Sequence, residues 1–305
     1  MRPHPEHILL FFIDGLGIGE DRADCNPCCQ PELRFFNHVS SDRFPKPLPY
    51  GGLAWGIDAC LDMPGLPQSA TGQTALLTGQ NGAAALGRHL NGFPSPTLRE
   101  LIARHSVFKT LTENGRRVAF LNAFRPPFFD YNPHDIIRHL SVTTVCNLYA
   151  GLPFFDLDDV RQGRAVYQDM TGEWLLANGF DVPSYTPEQA GAIIGRRSQD
   201  YHFSLFEYFQ TDRAGHSQDL PRARNELLKL DRFLDAILQN VDLDTTGVIV
   251  ASDHGNIENI CQKGHTRHPV MTLAFGCAAT PHAQRTASIL EITPLILNML
   301  NVLAP

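Results

Sequence analysis

The hydrophobic and polar positions of this chain alternate between clean periods and long irregular stretches. Residues 7–13 form an unbroken apolar run that ends in Asp14-Gly15. A run without alternation suits a strand buried on both faces, so a central parallel strand is predicted with Asp14 at its carboxyl end. Residues 20–68 are rich in Pro, Gly, Cys and short polar stretches, and are predicted to be irregular apart from a short hairpin near 50–57. A helix is expected to begin at 73–78, after the turn that holds Thr71. Over 97–114, Leu98, Leu101, Ile102, Val107, Phe108 and Leu111 recur at helical spacing, and Gly115 supplies a stop. A strand at 117–122 follows, giving the β-α-β alternation of a parallel α/β sheet.

Residues 125–185 break that rhythm with Pro pairs and clustered aromatics. They are expected to form a short cap or insertion within a single catalytic domain spanning 1–305. Order then returns: a short helix at 187–197, a strand at 203–210 and a helix at 221–241, whose buried side carries Leu227, Leu230, Leu234 and Ile237. Strands at 247–252 and 270–275 and a closing helix at 288–300 complete the pattern. No internal repeat or low-complexity tract interrupts it.

Composition changes the picture little: 43% of residues are hydrophobic and 19% charged, ordinary values for a globular chain. The net charge of −7 argues against a general nucleic-acid or membrane-surface binder. It does not exclude a small phosphorylated substrate, because a bound metal dominates its local field. No apolar stretch reaches 18 residues, so no membrane span is expected. The first seven residues lack the marks of a secretory signal, so a cytoplasmic location is expected. Among seven cysteines, Cys25, Cys28 and Cys29 cluster without a second pair at zinc-finger spacing. Reduced loop thiols are the expectation, with a metal or redox site as the alternative. Oligomeric state is open.

The candidate chemistry lies in acids and histidines far apart in the chain: Asp14, the pair in Asp212-Arg-Ala-Gly-His216, Asp253-His254-Gly255-Asn256, and His265. Open parallel sheets place their ligands beyond the carboxyl ends of the strands, where most of these residues are predicted to fall. His216, four residues after Asp212, returns to the same side of a helical turn. Three carboxylates and three imidazoles are the ingredients of a two-metal hydrolytic site. Thr71, in Ser69-Ala-Thr-Gly-Gln-Thr74, offers a hydroxyl nucleophile. Asp and His donors without thiolate favour Zn2+ or Mn2+, and Mg2+ where carboxylates dominate.

These motifs together resemble the alkaline phosphatase superfamily, nearest to its branch with cofactor-independent phosphoglycerate mutase and phosphopentomutase. The resemblance rests on Phe12-Ile-Asp14-Gly-Leu-Gly17, Ser69-Ala-Thr71-Gly72, the Asp212–His216 and Asp253–Asn256 motifs, His265-Thr-Arg-His-Pro-Val270, and a closing helix like the family's last. It covers both ends of the chain and skips roughly 80–200. It implies a three-layer α/β sandwich with a mostly parallel central sheet. It implies one metal held by Asp212, His216 and His265, and another held by Asp14, Asp253 and His254 and facing Thr71. His265 is preferred to His268 because the family's ligand histidine begins the His-Thr segment.

The family's mutases carry a large domain inserted after the nucleophile segment, whereas the insertion here is short. A phosphoric-ester hydrolase working through phospho-Thr71 is therefore expected. A phosphomutase on a phosphosugar or phosphoglycerate-type substrate, and a non-catalytic metal-binding relative, are the alternatives. Sulfatase chemistry lacks its Cys/Ser-x-Pro/Ala-x-Arg setting. Gln73, Arg88, His89, Asn91 and Arg213 lie near the motifs and are candidates to touch substrate.

Overall fold

The computed structural model describes residues 5–303; the ends of the expected 1–305 domain lie outside it. Among the described residues, nine strands form two sheets. The large one runs in the order β2 (Lys46–Pro47), β3 (Leu53–Ile57), β9 (Val270–Gly276), β8 (Thr246–Ser252), β1 (His7–Ile13), β7 (Phe203–Tyr208), β4 (Val118–Phe120). The small one pairs β5 (Asn122–Ala123) with β6 (Val166–Tyr167). Strands β8, β1, β7 and β4 are mutually parallel, while β9 runs antiparallel to β8 and β3 antiparallel to β9.

The unbroken apolar run of β1 is explained by helices on both faces. Ile8, Leu10 and Phe12 enter one core and Leu9, Phe11 and Ile13 the other. The first core is covered by α1 (Ser69–Thr78), α2 (Gly82–Leu86), α3 (Pro96–His105), α4 (Val107–Glu113) and α5 (Val142–Tyr149), and by the last helix, α11 (Ile292–Met299). Helices α6 (Leu157–Arg161) and α7 (Glu173–Ala177) pack a small satellite core with β5 and β6. The second large core lies under α8 (Pro187–Ser198) and α10 (Leu220–Gln239), with α9 (Gln210–Ser217) between β7 and α10.

Three expectations are corrected. The helix expected over 97–114 is two helices, broken at Ser106, which ends α3 and whose hydroxyl accepts from the Lys109 amide to cap α4. Both halves place apolar residues on one core, so periodicity alone could not reveal the break. Helix α1 begins at Ser69 rather than at 73, which moves Ser69 from a preceding turn to the first helical position. Cys25 is not a free loop thiol: it forms a disulfide with Cys261 across a sequence separation of 236, while Cys28 and Cys29 are free. No helix among the described residues is long and apolar enough to cross a membrane.

Candidate metal centre

Strand direction gathers the candidate ligands at one edge. Asp14 follows β1, Asp253 follows β8, and Asp212 lies on the first turn of α9 just beyond β7. Because β9 is antiparallel, its amino-terminal end meets the same edge and brings the 265–269 segment with it. Bridges Gly17–Val270 and Gly255–Thr266 hold that segment against the β1 and β8 turns. Close packing demands glycine at two points. Gly15 sits at φ +75 with the Asp212 side chain 3.0 Å from where a Cβ would be, and a Cβ at Gly72 would meet the Asp253 carbonyl oxygen at 2.6 Å.

The six expected ligand residues meet there. His254 Nε2 lies 3.2 Å from Asp14 Oδ1 and 3.5 Å from Asp253 Oδ2. Asp212 lies 3.3 Å from His216 Nε2 through one oxygen and 3.5 Å from His265 Nε2 through the other. The His254 and His265 rings stack with centroids 3.7 Å apart. Asp212, His216 and His265 present donor atoms close enough to share one cation, and so do Asp14, Asp212 and His254. Asp212 thus stands between the two groups, and Asn256 Nδ2 fixes it by donating to Oδ1 at 2.7 Å.

The protonation chemistry fits cations. The Nδ1 of His265 lies 2.8 Å from the Pro67 carbonyl, an acceptor only, so in the neutral ring the proton sits on Nδ1. With that tautomer the Nε2 lone pair faces the Asp212 carboxylate 3.5 Å away, a pairing that a shared cation would satisfy. Asp14 Oδ1 and Asp253 Oδ2 are buried without a hydrogen-bond donor. Burial, reinforced by Asp14, pushes the Asp253 carboxyl well above the usual carboxylate range. Burial would drive His254 neutral, yet the Asp253 and Asp14 carboxylates hold its pKa at about 10. Burial likewise opposes ionisation of Asp212, but His265 and the charges of His254 and His216 hold it at about 2. The acids compete for too few protons, and divalent cations would satisfy them all.

The two hydroxyls of the α1 turn have different surroundings. Thr71 is fully buried; its hydroxyl donates to the Gln68 carbonyl at 3.1 Å and accepts from the Leu90 amide at 3.3 Å. Ser69 Oγ, at the first residue of α1, lies 3.0 Å from His254 Nε2 and 3.4 Å from Asn91 Oδ1. Among the other expected substrate residues, Gln73 Nε2 donates to Asp14 Oδ2 at 3.4 Å. His89 is half-buried, and burial lowers its pKa. Arg88 is exposed, and Arg213 stacks on Phe209 at 4.8 Å.

Sequence reasoning missed Glu258. This fully buried carboxylate accepts from the Gly17 amide at 2.9 Å, the Asn256 amide at 2.7 Å, His268 Nδ1 at 3.1 Å and the Thr266 hydroxyl. It ties together the segments that carry Asp14, His254 and His265. Burial opposes its charge, but the hydrogen bonds from His268 and Thr266 prevail and lower its pKa. The bond to Glu258 in turn raises that of His268, which belongs to this support rather than to the ligand cluster. The available signal was an acid in the same short loop as two ligand motifs.

The sequence pattern of the metalloenzyme superfamily matches residues 188–304, which hold five of the six clustered residues. The carboxyl-terminal part of the chain is thus similar to that superfamily. The fold of the chain is that of alkaline phosphatase: it superimposes on the enzyme from the Antarctic bacterium TAB5 with a TM-score of 0.54 at 15% identity, covering 98% of this chain and 99% of that one. The cold-active alkaline phosphatase of a Shewanella species gives 0.53 at 12% identity, covering 96% and 99%. Sequence relatives are 2,3-bisphosphoglycerate-independent phosphoglycerate mutases. That of Desulforudis audaxviator is 28% identical over 169 residues, 52% of this chain and 32% of the relative. That of Legionella pneumophila is 26% identical over 233 residues, 70% and 43%. The chain therefore spans less than half the length of these relatives.

Proposed function

We propose that this protein is a two-metal phosphoric-ester hydrolase of the metalloenzyme superfamily whose nucleophile is Ser69. The observation that carries the reading is the placement of Ser69 Oγ beside His254 at the amino terminus of α1. A helix amino terminus offers free amides to a phosphoryl group, and Ser69 is the hydroxyl that faces the acid-histidine cluster. Thr71, the nucleophile expected from sequence, is committed to backbone partners on both sides and is assigned a structural role. Asp212, His216 and His265 would hold one divalent cation, and Asp14, Asp253, His254 and Ser69 the other. When bound, the pair supplies Lewis-acid stabilisation of phosphoryl charge and lowers the pKa of the serine hydroxyl. Zn2+ or Mn2+ suits this donor set, with Mg2+ a third choice.

In the first half-reaction Ser69 Oγ bonds to phosphorus as the bond to the leaving alcohol breaks, and the serine proton ends on that alcohol. In the second, water attacks the phosphoserine, releasing inorganic phosphate and restoring the hydroxyl. Gln73 holds Asp14 in place, and Asn256 holds Asp212. Residues 125–185 act as a short cap within one catalytic domain. Hydrolysis is favoured over mutase chemistry because this insertion builds only one small satellite core. The test is phosphate release from a phosphomonoester by metal-loaded protein, with Ser69→Ala and Thr71→Val compared. Loss of turnover in the first with metal retained supports the reading; equal turnover in Ser69→Ala and wild type overturns it.

A further inference from the structure

Beside the metal edge, the 122–177 region and the end of β7 enclose a cavity of about 680 Å3, lined by Asn122, Glu207, Phe209 and Arg213 on its sheet side. Arg213 directly follows Asp212 on α9, and the Asp14 charge reaches Glu207, so the cavity lining lies near the expected reaction centre. Its opposite wall is aromatic. Phe124 and Phe128 pack with centroids 4.4 Å apart, and Tyr167 stacks on Trp174 at 6.1 Å. Phe93, Tyr131 and Trp174 also line it, and they remain 50%, 60% and 39% exposed. Large aromatics left this open around one concavity are unusual unless a ligand covers them.

The charges are as telling. The Arg125 guanidinium lies 4.9 Å from the Trp174 ring and Arg213 stacks on Phe209. Among the described residues neither forms an ion pair, although the protein is acidic overall. Burial raises the Tyr167 pKa, and both guanidiniums lie near enough to its hydroxyl to oppose that rise. The acid in the lining, Glu207, is bound to Thr143. An aromatic slot with two uncommitted cations matches a planar, anionic organic group.

We propose that this cavity is the leaving-group site and that the substrate is a phosphomonoester of an alcohol bearing a planar aromatic group. This rests on the hydrolase reading and adds a substrate class to it. Arg213, next to the metal ligands, meets the phosphoryl oxygens, while Trp174, Tyr131 and Tyr167 cover the ring and Arg125 lies over its edge. A small aliphatic leaving group would leave most of the cavity wet.

The test compares 1-naphthylmethyl phosphate with propyl phosphate, two primary-alcohol esters whose leaving groups differ little in basicity. The readout is the ratio of their kcat/KM values in metal-loaded protein. Wild type should favour the aromatic ester by roughly tenfold or more, the scale of discrimination an apolar pocket provides. Trp174→Ala and Tyr131→Ala, both partly exposed positions, should each lower that ratio severalfold. A ratio near one in wild type, or one that neither variant changes, overturns the proposal. In parallel, 1-naphthylmethylphosphonate, which cannot be hydrolysed, is titrated against tryptophan fluorescence. Saturable quenching that disappears in Trp174→Phe supports the cavity even if no ester turns over, an outcome that would overturn the hydrolase reading alone. Absence of binding overturns the cavity assignment whatever the turnover.

Discussion

The metal edge and the aromatic cavity meet at Asp212-Arg213 in the chain but are built in opposite ways. At the metal edge most polar atoms have a protein partner; Asp14 Oδ1, Asp253 Oδ2, His254 Nδ1 and Asn256 Oδ1 are buried without one, and the two carboxylate oxygens face His254. Most of its groups follow the ends of parallel strands, His265 precedes antiparallel β9, and Glu258 braces the segments that carry them. The cavity is built from short strands, single-turn helices and loops, with open aromatic rings and unpaired arginines. A site that must hold charges a few ångströms apart needs a rigid frame, whereas a site that selects a leaving group needs area and shape. The difference separates catalysis from specificity, and variants on the two sides should fail differently.

The sharpest break is Ser69→Ala. If the metal edge does the chemistry, kcat should fall by about 10^3-fold or more, because a nucleophile acts in every turnover. Metal content, measured by elemental analysis, should stay near two ions per chain, since the six Asp and His ligands remain. Turnover within tenfold of wild type would remove Ser69 from the mechanism.

The same contrast explains what could be read from the sequence. The candidate ligands are legible because each lies beside a strand whose apolar pattern is strong, so Asp14, Asp212 and Asp253-His254 can be assigned to one sheet edge from sequence alone. His265 was reachable only through the family's His-Thr segment, since its place depends on β9 running antiparallel. Ser69, proposed above as the nucleophile, is hidden in the sequence because α1 begins four residues before the expected start, and at N-terminal turns the identity of the exposed hydroxyl depends on that register. Glu258 carries no motif: its role lies in four hydrogen bonds from three segments. The cavity was illegible because its wall joins residues from 93 to 213 through loops without period. The Cys25–Cys261 pair, 236 residues apart, had no local signature at all.

Reduction of that disulfide should weaken the metal edge first. Cys261 lies between the Asp253-His254 motif and His265, and its bond to Cys25 closes a very long loop. Cys25→Ser should cost about 2–4 kcal/mol, read as a lower melting temperature, and should speed metal loss to a chelator. Equal melting temperatures with and without reductant would mean the bond does not constrain this edge in solution.

Glu258→Gln should cost about 1.5–3 kcal/mol, the range for hydrogen bonds to a charged group. Its pH dependence is distinctive. The Glu258 carboxyl is held below its ordinary 4.5, so its contribution is complete above pH 4.5 and lost as pH falls through the lower folded value. The His268 pKa is raised above 6.5, so its contribution is complete below pH 6.5 and lost as pH rises through the higher folded value. Both act fully between about pH 4.5 and 6.5, and denaturant unfolding across pH should show the Glu258→Gln deficit largest there. A deficit independent of pH would assign Glu258 a packing role only.

The smallest effect should come from Thr71→Val, and it completes the contrast with Ser69. Valine keeps the shape of threonine but removes the hydroxyl that receives the Leu90 amide and donates to the Gln68 carbonyl. Leaving a buried amide without its acceptor should cost about 1–3 kcal/mol of stability. Turnover should change less than tenfold, because the lost bonds steady the first turn of α1 without touching phosphorus. A thousandfold loss of kcat with stability unchanged would reverse the assignment and make Thr71 the nucleophile, with Ser69 its support.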